Sequence, residues 1–75
     1  MKITKILSMK ITREFKFSIG QIVYLRTDVE QLERIVIGYM VLMGFVQYIL
    51  MQGVEQTNHF DFEITPNRNI LYTLN

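Results

Sequence analysis

A chain of 75 residues, 49% hydrophobic and 20% charged with a formal net charge of +1, is one small domain at most. It has no cysteine and a single histidine, which excludes disulfides, thiolate metal centres and histidine metal clusters as sources of stability. A chain this short buries only about 60% of the surface its unfolded form exposes, so assembly is the route left for reinforcing the fold.

The charge is unevenly spread. Residues 1–20 carry Lys2, Lys5, Lys10, Arg13 and Lys16 against Glu14, a balance of +4. Residues 21–75 carry Arg26, Arg34 and Arg68 against six carboxylates, a balance of −3. A basic arm on an acidic body suits nucleic acid, or the acidic body of a neighbouring subunit, or simply a solvated strand edge. Met1-Lys2-Ile3-Thr4-Lys5 recurs as Met9-Lys10-Ile11-Thr12-Arg13. This is a coincidence of composition or a second translation start at Met9. The first lysines are not followed by an apolar core and a small-residue cleavage site, so the N-terminus does not read as a secretory signal.

From Met9 the pattern alternates. Met9, Ile11, Phe15 and Phe17 share one parity, with Arg13 the exception, and Lys10, Thr12, Glu14 and Lys16 share the other. That is the period of a half-buried strand. Ser18 to Gly20 reads as a turn and Gln21 to Arg26 as the next strand. Thr27 with Glu30 has capping-box spacing, which predicts one short helical turn near 28–33.

Ile35 to Met51 contains no charged residue, and Gln47 is its only strongly polar side chain. The run is either a short membrane helix or a β-hairpin apolar on both faces. A spanning helix needs about 20 apolar residues, with about 17 as the lower limit, and this run only reaches that limit. Basic residues before it and acidic residues after it would put the N-terminus inside. Its Val, Ile, Tyr and Phe suit a pleated surface better, and Gly44 supplies a turn between Ile35–Met43 and Phe45–Met51. The hairpin is therefore expected.

Gln52-Gly53 marks a turn and Val54 to Thr57 a short strand. Phe60, Phe62 and Ile64 alternate with His59, Asp61 and Glu63, which predicts a further strand or a tight turn leading into one. Pro66 to Asn69 is a break. Ile70 to Leu74 reads as a sixth strand or as a tail that pairs with a neighbour.

Short strands, frequent turn signals and no long amphipathic helix predict an all-β fold. Phe17-Ser18-Ile19-Gly20-Gln21-Ile22-Val23-Tyr24-Leu25 resembles the opening strand of SH3-like barrels of the KOW and Tudor types. Leu25 through Gly38 is similar to short uncharacterised proteins of Bacteroidetes genomes and their phages, which carry a KTD-x-EQL-x-R-x-V-T-G stretch. Here Arg26 replaces the Lys and Ile37 the Thr. The resemblance covers residues 15–65. With the strand and turn pattern, which itself predicts a small antiparallel barrel of five to six strands, it implies an SH3-like barrel over residues 15–66, while charge and alternation set a basic arm or extra strand at 1–14 before it and the last apolar segment a strand or tail at 67–75 after it. It implies a phage or mobile-element setting and no activity.

No catalytic constellation stands out. On one strand Asp61 and Glu63 would face the same way, ~7 Å apart, with His59 close by in sequence. Exposed acidic residues on a strand account for them more simply, so no enzyme, cofactor or metal site is expected. Asp28, Glu30, Gln31 and Arg34 make an interaction loop, unless their charges satisfy one another and cap a turn. The tyrosines Tyr24, Tyr39, Tyr48 and Tyr72 do not interleave with the basic residues, so they read as barrel edges or subunit contacts. In the hairpin, Ile35, Ile37, Tyr39, Val41 and Met43 share one parity and Val36, Met40 and Leu42 the other. A barrel interior takes only one set. Ile37, Tyr39, Val41 and Met43 are then candidates for self-association. The sequence thus points to a non-catalytic structural or interaction protein of the cytoplasm (the host's, if phage-encoded), partnered by itself or another protein. The alternatives are nucleic-acid binding through Lys2, Lys5, Lys10, Arg13 and Lys16, and a single-span membrane protein with residues 35–51 as the span.

Overall fold

The computed structural model describes residues 15–73. Five strands follow in chain order: β1 (Ile22–Leu25), β2 (Arg34–Leu42), β3 (Phe45–Gln52), β4 (Glu55–His59) and β5 (Ile64–Thr65). A 3-10 turn at Asp61–Glu63 joins β4 to β5, and one helical turn, α1 (Ile70–Thr73), comes last. The strands form one antiparallel sheet in the order β4-β3-β2-β1-β5.

The uncharged run is the hairpin β2–β3. Leu42 pairs with Phe45 across a two-residue turn at Met43 and Gly44. Gly44 has φ +92°, a conformation that tight hairpin turns demand and that a Cβ resists. No helix among the described residues is long and apolar enough to cross a membrane.

A β-bulge interrupts β2. Val36 pairs with Leu50 and Gly38 with Ile49, which leaves Ile37 as the extra residue. This shift changes the expected parity. Before the bulge Val36 faces the core; after it Tyr39 does, paired with buried Tyr48. Tyr39 therefore does not share a face with Ile35, as simple alternation predicts.

Phe17, Val23, Val36, Tyr48, Leu50 and Ile64 are buried together, with Phe15, Leu25, Tyr39 and Val46 packed against them. Burying each such side chain stabilises the fold by about 1.5–3 kcal/mol. β5 is only two residues long, yet its pairing of Ile64 with Leu25 carries Ile64 into this core. Phe17 packs edge-on against Tyr48, with ring centroids 5.2 Å apart. The Tyr39 hydroxyl donates to Phe17 O (2.8 Å), and the Tyr48 hydroxyl accepts from Lys16 N–H (2.9 Å). These two bonds tie the entering chain to the sheet.

Three expectations change. The part of the predicted N-terminal strand that is described, Phe15 to Ser18, is irregular; the rest lies outside the described residues. The helical turn expected near 28–33 is a pair of successive turns. Asp28 Oδ1 accepts from Glu30 N–H and Oδ2 from Leu32 N–H, both at 3.0 Å, and Gln31 sits at φ +49°, which no right-handed helix accommodates. Of the segment read as a sixth strand or a pairing tail, Ile70–Thr73 forms the helical turn α1 and not a strand, started by Asn69 Oδ1 accepting from Leu71 N–H (3.0 Å), and Leu74 lies outside the described residues.

Candidate functional site

A recess lined mainly by aromatic side chains lies near the turn end of the β2–β3 hairpin. It encloses about 560 Å³ and is walled by Phe45, Val46, Tyr48, Phe60 and Phe62, with Lys16 and Asp61 as its charged lining. Its floor comes from β3, and one side comes from the chain between β4 and β5. Phe60 and Phe62 are parallel within 8°, their centroids 5.4 Å apart, and Phe45 meets Phe60 at the same distance, tilted by 58°. Phe62 is 70% exposed, although ring burial is the usual fate of a Phe.

Local chemistry aims these rings. Glu63 reaches back over the 3-10 turn: its Oε2 accepts from Phe60 N–H (2.9 Å), while its own N–H donates to Phe60 O (3.0 Å). Glu63 Oε1 lies 2.8 Å from His59 Nδ1, and the other ring nitrogen of His59 lies 2.8 Å from Thr57 Oγ1. The His59 ring, together with the Phe60 N–H, holds the Glu63 carboxyl below its usual range against the opposing effect of burial. Asp61 pairs with Lys16 at 3.1 Å. Asp61 thus has a cationic partner, and Glu63 is engaged by the His59 ring and the Phe60 N–H. On a 3-10 turn Asp61 and Glu63 do not face one way as they would on a strand, and no acid pair forms.

Most polar groups of the loop 26–34 find partners within the chain, although the buried Arg34 Nε has no hydrogen-bond partner. Burial pushes the Asp28 carboxyl up, but the N–H groups of Leu32 and Glu30 and the Arg34 guanidinium outweigh it and leave the group below its usual range. Arg34 Nη2 lies 3.3 Å from Asp28 Oδ2. Gln31 is 1% exposed. Its Nε2 donates to Leu25 O (2.9 Å) and Asp28 O (2.6 Å), and its Oε1 accepts from Asn69 N–H (2.7 Å). Of the four loop candidates, Asp28, Gln31 and Arg34 turn their polar groups into the chain, and Glu30 is exposed.

The self-association candidates do not form one patch. Ile37 is the bulge residue, Tyr39 stacks on Phe15 (3.9 Å, 13°), Val41 is exposed opposite Val46, and Met43 is at the turn tip, 98% exposed. The uncharged residues that line up across the strands are a different set. Cross-strand partners share a face, and Ile22, Ile35 and Met51 line up across β1, β2 and β3, followed by Gly38 with Ile49 and Met40 with Gln47. Lys2, Lys5, Lys10 and Arg13 lie outside the described residues; Lys16 reaches the aromatic recess.

Sequence reasoning missed this recess. Phe45 and the Phe60/Phe62 pair are fifteen or more positions apart, and their period-two spacing imitates a strand. The usable signal was Glu63 three residues after Phe60, the spacing of a side chain that closes a turn on the backbone N–H before it. Compared with known protein families, curated proteins and solved structures, the chain matches none.

Proposed function

We propose that this chain is a small non-catalytic interaction protein that assembles with copies of itself, built on an SH3-like barrel. The observation that carries the reading is the uncharged outer face of the sheet. Ile22, Ile35 and Leu42 are exposed there, and Met40, Ile49 and Met51 are half-buried. Among the described residues, the paired positions on this face of β1, β2 and β3 carry no charge. An uncharged face meets its own copy without like-charge repulsion, and a core that holds six buried side chains among the described residues gains from the added burial.

The barrel reading is supported by the return of the last strand to the first, with β5 on β1, and by a core held on one side of the sheet. The non-catalytic reading is supported by His59, whose two ring nitrogens both engage neighbours within the fold. The resemblance of Leu25 to Gly38 to short Bacteroidetes and phage proteins extends the reading to an accessory protein of a mobile element, working in its host's cytoplasm. Light scattering across a dilution series from the micromolar range tests assembly. The expected mass exceeds that of one chain and falls on dilution; a concentration-independent monomer overturns the proposal.

A further inference from the structure

We infer that the free edge of β4 pairs, antiparallel, with the same edge of a second copy of the chain, joining two sheets into one. Among the described residues β4 is the last strand of the sheet, and only β3 pairs with it. Gln52 and Glu55 close the two-residue turn at Gly53 and Val54, so they bond each other. The ladder bonds then fall on Thr57 with Leu50 and on His59 with Tyr48. The backbone groups of Gln56, Asn58 and Phe60 therefore point away from β3. Phe60 fits this parity: its N–H donates to Glu63 Oε2 and its carbonyl accepts from Glu63 N–H. Gln56 and Asn58 are left, each with a donor and an acceptor turned outward, and both residues are exposed. Such an edge is a template for a further strand, and β4 has no proline, lysine or bulge to blunt it.

The sequence of β4, Glu55-Gln56-Thr57-Asn58-His59, selects its own copy as the partner. A two-fold axis at Thr57 sets Gln56 opposite the partner's Asn58 and Asn58 opposite the partner's Gln56, so every outward donor meets an outward acceptor. Glu55 falls opposite the partner's His59 rather than opposite another carboxylate. Thr57 falls opposite the partner's Thr57, a cross-strand pair that sheets favour. The same register brings Val54, 96% exposed in its turn, to the partner's Phe60. The backbone of Phe60 is still extended (φ −76°, ψ 159°), and its ring lines the aromatic recess. An unrelated strand would find the same backbone groups but not this match of side chains. Five residues make a small contact, so the pairing belongs to concentrations well above the micromolar range.

The contact uses the sheet edge and not the outer face proposed for self-association, so either reading can fail without the other. The test uses the full chain carrying Ile35→Glu, which blocks the outer face, and follows amide hydrogen exchange from the micromolar to the millimolar range. Gln56 and Asn58 should exchange more slowly as concentration rises, about two-fold when half of the chains are paired, and translational diffusion should slow in step. Asn58→Pro removes one outward N–H and none of the bonds to β3, and an edge strand accepts proline. It should lose the concentration dependence at Gln56 while a melting curve shows it folded. Charge pairs test the register without touching the backbone. Chains with Gln56→Lys and Asn58→Lys, or with Gln56→Glu and Asn58→Glu, should each stay monomeric, because like charges then face each other across the axis, and their mixture should pair. Exchange at Gln56 and Asn58 that does not change with concentration, whether fast or slow throughout, overturns the proposal. So does a lysine variant that pairs as readily as the chain without it, or a mixture that stays monomeric.

Discussion

Gln31 is the position at which a single change tests the most of the folding argument. Its side chain is buried and makes three hydrogen bonds, to Leu25 O, Asp28 O and Asn69 N–H. They hold the loop between β1 and β2 and pull the segment after β5 against it. Gln31→Leu keeps much of the volume and removes all three. Each bond is worth about 1 kcal/mol net. Both acceptors keep a second donor, since Leu25 O also accepts from Asp28 N–H and Asp28 O from Gln31 N–H. The loss should therefore fall at about 2–3 kcal/mol rather than at the larger cost of fully orphaned groups. A domain of this size melts about 4–8 °C lower per kcal/mol, so a drop of about 8–24 °C is expected in a thermal scan. Gln31→Glu should be worse at neutral pH, because it turns a carboxylate toward two carbonyl oxygens. A Gln31→Leu protein that melts with the parent would refute the claim that this side chain organises the loop.

Further outcomes follow from other parts of the structure. Gly44→Val should cost about 1–3 kcal/mol through backbone strain alone, because φ is +92° and a Cβ there meets nothing within 4 Å; Gly38→Ala, whose Cβ would lie 3.6 Å from Ile49 Cδ1, should change a urea midpoint little. Asp28 and Glu63 both titrate below their unfolded values, so their contribution is fully present above the ordinary carboxylate range and is lost as pH falls below about 4; Asp28→Asn should flatten the acid limb of a stability–pH curve, and an unchanged limb would count against the Asp28 network. Tyr48→Phe should cost about 1 kcal/mol by releasing Lys16 N–H, and amide exchange at Lys16 should quicken with it.

The hairpin was legible because two signals agreed: β-forming residues along the run, and a glycine placed where the chain must reverse. The bulge at Ile37 was not, since it inserts one residue without altering composition, and every parity argument beyond it changes sign. Gln31 shows a second limit. Its position in a charged stretch reads as a loop surface, and only the fold brings Leu25 O, Asp28 O and Asn69 N–H to it. The same holds for the recess, where Lys16, Phe45 and Phe62 meet across distant parts of the chain. Local capping and turn chemistry can be read along a sequence, whereas a site assembled from three segments depends on register.

Self-association through the outer sheet face is tested most directly by sedimentation equilibrium of the parent and of Ile35→Glu, run side by side at the same concentrations. Ile35 is 37% exposed, so the change leaves the six-residue core untouched and places a charge in the middle of the face. The parent should sediment above the mass of one chain, with Ile35→Glu shifted to the monomer and still folded. A parent that stays monomeric throughout, or an Ile35→Glu protein that associates as strongly as the parent, would contradict the assignment of this face.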